Sequence, residues 1–237
     1  MWLIAEYQPV GLFSLKSTLA TSSGGKSLLV PTPYAIKMAL LDAACRLWGV
    51  GAAEAIWPTL RDLSVALRLP ERVVVTNLFT KILKPSRSAS RPGTQHAGPL
   101  GKTIAFREYV WAGGNLGIAL GLEDGERVTG LTDLLLQINY LGKRGGFVQL
   151  DGPPTQANEL PGGYMLVNGP PTDRFYVGGL MQVLDDCDVS LTFEKANIYS
   201  GKNIKLGKER ILHHVVLPYR LVRSSKSFSY YERIGEW

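Results

Sequence analysis

Leu28 to Trp48 reads LLVPTPYAIKMALLDAACRLW. It starts as a short apolar run, turns on Pro31-Thr32-Pro33 and continues as a helix. Thr32 can cap that helix through its hydroxyl. Pro33 falls at the first helical position, where a missing N–H costs nothing and φ is already set. Ile36, Ala39, Leu40, Ala43, Ala44 and Leu47 recur at helical spacing, and Leu41, Cys45 and Trp48 widen the apolar face, so the helix is expected to be largely buried. Its N-terminus follows a glycine- and serine-rich loop containing Lys26, a setting that suits an anion. Gly25-Lys26-Ser27 invites comparison with a phosphate-binding P-loop, but Ala20 stands where that pattern needs a glycine.

Outward from this helix, Trp2 to Tyr7 reads as a first strand. Ala52 to Leu69 reads as one or two short helices interrupted by Pro58, and the β-branched run from Arg72 to Lys84 as a second strand. Ile104 to Gly121 gives two strands or one kinked at Gly113-Gly114, with Tyr109 and Trp111 on one side and Phe106, Glu108 and Val110 on the other. Core packing is the expected fate of Trp111, with base stacking as the alternative. Leu131 to Leu141 reads as a second helix ending at Gly142, followed by Lys143-Arg144-Gly145-Gly146 and a short strand at Phe147 to Leu150. Strand, helix, strand, strand, helix, strand is the order of an α+β, ferredoxin-like (RRM-like) domain, in which helices cover one sheet face and the other is free. Residues 1–150 are assigned to it, with an insertion at about 85–103.

That insertion carries the charge. The chain of 237 residues has a net charge of +6. From Lys81 to Arg107 there are Lys81, Lys84, Arg87, Arg91, Lys102 and Arg107, with His96, and not one carboxylate. A long basic loop between strands reads as a finger that orders on a phosphate backbone, or else as a solvated insertion.

Residues 151–237 are expected to form a smaller β-rich C-terminal part, with a Pro/Gly-rich connection over Gly152 to Thr172 and strands over Phe175 to Leu184, Val189 to Tyr199, Arg210 to Val222 and Phe228 to Ile234. It has its own basic face, including Lys202, Lys205 and Lys208. Asp185, Asp186 and Asp188 read as an acidic turn rather than a cation site. His213 and His214 point to opposite sides of a strand and cannot easily share one metal. The only two cysteines are not spaced for zinc or for a disulfide framework. No cofactor is expected, no apolar run approaches a membrane span, and a cytoplasmic location is expected.

The stretch LVPTPYAIKMALLDAA resembles the N-terminal signature of the CRISPR-associated protein-five family, RAMP-type subunits of type I Cascade-like effectors. The basic insertion before FREYVWAGG (Phe106 to Gly114) is similar to the family's thumb hairpin, and LGKRGG (Leu141 to Gly146) to its glycine-rich loop. One departure stands beside these: the family often has glycine two residues after the isoleucine, where this chain has Met38. The resemblance implies a subunit that holds the five-prime handle of the CRISPR RNA, sets its thumb against the duplex of guide and target DNA, and packs on protein-seven-type backbone subunits and a large subunit. The expected RNA contacts are Lys16, Lys26, Lys37, Arg87, Arg91, His96, Lys102, Arg107, Tyr109, Lys143, Arg144 and Gly145, through phosphate-binding cations, close backbone approach and stacking. Such a subunit needs no catalytic residue. The alternatives are a metal-independent endoribonuclease of precursor CRISPR RNA, drawing on His96, His213 or His214, and a mainly structural assembly subunit.

Overall fold

The computed structural model describes residues 1–18, 20, 24–85, 93–94, 98–122, 128–143, 145–170 and 177–235. The elements run β1 (Trp2–Pro9), β2 (Leu15–Lys16), β3 (Gly24–Gly25), β4 (Ser27–Leu28), α1 (Pro33–Trp48), α2 (Val50–Asp62), β5 (Ser64–Arg68), β6 (Arg72–Pro85), β7 (Leu100–Gly113) and β8 (Leu116–Gly121). They continue with α3 (Val128–Leu136), β9 (Val148–Leu150), β10 (Thr155–Ala157), β11 (Tyr164–Leu166), β12 (Leu180–Cys187), α4 (Phe193–Ala196), a 3-10 turn at Ile198–Ser200, β13 (Arg210–Leu217), β14 (Tyr219–Ser224) and β15 (Phe228–Arg233). The architecture is α+β and mostly strands, in several sheets whose pairings are nearly all antiparallel. No helix among the described residues is long and apolar enough to cross a membrane.

Helix α1 begins where its local chemistry dictates. Thr32 Oγ1 accepts the Ala35 N–H at 3.1 Å, and Pro33 opens the helix. It ends at Gly49, which takes φ +82°, a conformation that favours glycine, and donates its N–H to the Cys45 carbonyl at 3.2 Å. Ile36, Leu40, Ala43 and Ala44 are buried, and the helix packs against α2, α3 and β12. Helix α2 runs unbroken through Pro58, and its buried Trp57 donates its indole N–H to the Leu191 carbonyl at 2.8 Å.

The central sheet has the order β10-β1-β8-β5-β11, with β9 also on β1, and its neighbours are antiparallel. The strand that follows the first helical region is therefore β5, not the run from Arg72. Val65, Ala66 and Leu67 are all buried, so β5 lacks the alternation that marks a half-exposed strand, and it follows directly on α2. The strand read at Arg72 to Lys84 is real but belongs elsewhere. It is β6, one arm of a hairpin with β7 that keeps one register from Arg72↔Gly113 to Pro85↔Leu100. The hairpin is inserted between β5 and β8, and β15 lies along the base of β6.

Leu3, Val65, Leu67, Ile118 and Leu120 join the main core with α1 and α3, while Ile4, Ala66 and Ala119 form a second cluster with Tyr164. The sheet face away from the helices is therefore closed in part, over Ile4, Ala66 and Ala119. Tyr164 packs over these three residues with Leu160 and Ala157, and Gly117 makes room, since a Cβ there would overlap the Tyr164 ring.

Strands from beyond residue 150 join strands from before it, as β10 on β1, β11 on β5 and β15 on β6 show. The run Val189 to Tyr199 is not a strand but α4 and the 3-10 turn, because Leu191, Phe193 and Ala196 meet the core at irregular spacing. The second predicted helix stops at Leu136, yet Ile138 and Leu141 still reach the core from the turn that follows.

Candidate nucleic-acid interface

In the lower half of the hairpin, here called its base, two segments pair with the outer edge of β7 and a third loop lies beside them. Gly24 and Gly25 pair in parallel with Phe106 and Arg107. A Cβ on Gly25 would lie 2.6 Å from the Phe106 carbonyl oxygen and 2.8 Å from Arg107 Nη1, so only glycine lets this backbone come so close. Farther along the same strand, Phe13 and Val110 exchange backbone hydrogen bonds of 3.0 and 2.7 Å. Leu15 and Lys16 then pair with Leu28 and Ser27. The third loop, from Leu141 to Phe147, is tied in by Val10, whose N–H donates to the Phe147 carbonyl at 3.0 Å. Gly142 takes φ +76° against the Leu15 side chain, and Gly145 takes φ +106° facing open space.

The carboxylate of Glu108 organises the first of these loops. It is nearly buried, accepts the Ser27 N–H at 2.8 Å, and lies 3.6 Å from Lys26 Nζ, whose side chain is 80% exposed. The ammonium therefore stands in solvent while its loop is fixed from below. Arg107, half-buried, donates from Nη1 to the Phe106 carbonyl at 3.0 Å. Lys143 Nζ sits 6.0 Å from the centroid of the Tyr109 ring, which brings the glycine-rich loop against the hairpin.

Lys16, Lys26, Arg107, Tyr109, Lys143 and Gly145 are thus gathered around the hairpin base. Lys102 is exposed farther out, opposite Leu83; seven residues along β7 from Tyr109 correspond to roughly 23 Å. Lys37 does not belong to the surface at all. Its ammonium is buried 2.7 Å from Asp186, because α1 turns that side chain inward against β12. Arg87, Arg91, His96 and Arg144 lie outside the described residues. Glu108, which anchors the 24–28 loop, is the residue of this region that the sequence reading passed over; its signal was being the first carboxylate after a long basic stretch, on the inward side of a strand.

Other predicted features have structural explanations. Asp186 also accepts from Asn168 Nδ2 at 2.8 Å and from the Cys187 N–H at 2.7 Å. Asp185 pairs with Arg210, which stacks over the Tyr34 ring at 4.1 Å. The acidic run is therefore two buried partners on β12, with Asp188 accepting from the Ser190 N–H at 2.9 Å, rather than a single turn. His213 and His214 sit on β13 opposite Leu184 and Val183. Trp111 is 44% exposed and not a core residue; its ring lies over Gly113.

The arrangement offers cations in solvent, an aromatic ring and close-approach backbone around one strand edge, the elements used to hold a phosphodiester chain. Beyond the base, the hairpin face that buries Val73, Val75 and Val110 continues as exposed Phe79, Leu83, Leu100 and Ile104.

No protein-family model matches the sequence, and no curated protein does. Among solved structures, the chain is similar to a CRISPR protein from Archaeoglobus fulgidus, at 13% identity over 99% of this chain and 92% of that one, with a TM-score of 0.47. It is also similar to a chain of a CRISPR RNA-guided surveillance complex, at 14% identity over 90% of this chain and 88% of the other, with a TM-score of 0.47.

Proposed function

We propose that this chain is an RNA-binding subunit of a type I CRISPR interference complex. In this reading it caps the five-prime handle of the CRISPR RNA at the base of the hairpin and sets the hairpin against the duplex of guide and target DNA. The convergence of the 24–28 loop, the β7 edge and the 141–147 loop carries the reading, with Lys26, Arg107, Tyr109 and Lys143 displayed together. The sequence resemblance supports it, since two of its motifs, the FREYVWAGG strand and the LGKRGG loop, are distant in the chain and are brought together through Tyr109 and Lys143. The sheet order β9-β1-β8-β5 with α1 and α3 as crossovers supports a ferredoxin-like core. Protein-seven-type backbone subunits and a large subunit are the partners this reading implies.

Base pairing would read the target, while this chain would read backbone and shape. The test is binding of labelled CRISPR RNA across a salt series, for wild type and for a variant with Lys26, Arg87, Arg91, Lys102, Arg107, Lys143 and Arg144 replaced by alanine. A log-log slope that flattens by about 0.7 per lost single-strand contact supports the reading, and an unchanged slope overturns it. Incubation with repeat RNA in chelator addresses the nuclease alternative, which site-specific cleavage would favour.

A further inference from the structure

The turn between α4 and β13 presents a second concentration of exposed aromatic and cationic groups. Tyr199 is 91% exposed and Ile198 82%. Lys202, Lys205 and Lys208, which follow in the same turn, are exposed as well. This segment is built rather than loose. The Asn197 side chain accepts the Tyr199 N–H at 3.0 Å, and Ser200 Oγ accepts the Lys202 N–H at 3.1 Å. The Glu209 carboxylate, buried at 2% side-chain exposure, accepts the Lys205 N–H at 2.7 Å and the Lys195 ammonium at 2.6 Å. The two carboxylates of the segment are engaged, Glu209 by Lys195 and Glu194 by Lys202, and among the described residues Lys205 and Lys208 have no ion-pair partner.

We infer that this turn is a second contact surface, for single-stranded nucleic acid, with Tyr199 stacking on an unpaired base and Lys205 and Lys208 on phosphates. An exposed ring in the same turn as exposed ammonium groups suits an unpaired strand, which exposes base faces and phosphates together; a duplex hides the faces. A protein partner is disfavoured because lysine is depleted at the centre of protein interfaces. The inference is independent of the hairpin-base reading.

The experiment measures binding of labelled single-stranded uridine and thymidine oligonucleotides, and of a duplex of equal length, to the full chain. Tyr199→Ala is expected to weaken both single strands about tenfold and to leave the duplex unchanged, with Tyr199→Phe retaining binding. Lys205→Ala/Lys208→Ala is expected to lower the salt slope by about 1.4. A Tyr199→Ala protein, folded by circular dichroism, that binds single strands like wild type, or that loses duplex binding equally, overturns the inference. A Lys26→Ala/Lys143→Ala variant separates the two surfaces. If it alone loses binding, the hairpin-base reading stands and this inference fails; if only the Tyr199 variant does, the reverse holds.

Discussion

The Glu108 carboxylate accepts the backbone N–H of Ser27 at 2.8 Å across 81 positions of sequence. A negative group thus holds in place a loop whose lysine side chain is exposed to solvent. Glu108→Ala removes a charge that would repel RNA, so electrostatics alone predicts tighter binding. The structure predicts weaker binding, because the loop loses its anchor, with stability falling by about 1–3 kcal/mol from the unpaired Ser27 N–H. Glu108→Gln, which still accepts a hydrogen bond, should keep the loop. RNA titration of both variants distinguishes the two mechanisms by the sign of the alanine effect.

Lys37→Ala should destabilise the fold without touching the RNA site. Breaking a buried pair leaves Asp186 uncompensated, at a cost of about 3–5 kcal/mol. Lys37→Met/Asp186→Asn should recover part of that loss in urea unfolding, since it removes the unpaired charge and keeps an oxygen that can accept from Asn168 or the Cys187 N–H. RNA affinity per folded molecule should match wild type.

Gly25→Ala forces a methyl group against the Phe106 carbonyl oxygen and must push the 24–28 loop off β7. RNA affinity is expected to fall about tenfold, equivalent to ~1.4 kcal/mol. Gly51→Ala, in α2 with open space around its Cβ, is the control and should leave RNA binding unchanged while stabilising the helix by about 0.5–1 kcal/mol.

Burial pushes the Cys187 thiol up to about 12 from its ordinary 9.0. The folded chain holds this proton more tightly than the unfolded one, so the contribution is complete below the unfolded value and is lost as pH rises from about 9 to about 12. Burial also raises Tyr7, Tyr164 and Tyr219, which adds to alkaline sensitivity. Thermal unfolding followed through that window should show a falling midpoint, less steep in Cys187→Ala relative to its own value at neutral pH. Equal slopes in the two proteins would show that the tyrosines alone account for it.

Local signals made much of this molecule legible. Thr32 and Pro33 mark the start of α1 because a cap and a fixed φ act within one turn of helix. The β-branched run from Arg72 onward and the carboxylate-free stretch from Lys81 to Arg107 mark the basic hairpin. The same reasoning failed at β5, where burial on both faces erased the alternation, and at Val189 to Tyr199, where a few apolar residues served a short helix and a turn.

The sequence by itself determined where α1 begins, and it marked a carboxylate-free basic stretch from Lys81 to Arg107 and an excess of cations over carboxylates from Lys202 to Arg233. Only tertiary structure decided which cations face water. Lys37 is withdrawn by Asp186, 149 positions away, and Lys26 is displayed by Glu108. The same long-range packing laid Tyr164 on the sheet face that local order left open. Propensity and capping are set by neighbours in sequence, whereas the burial of a charge or a sheet face depends on partners that only the folded chain brings within reach.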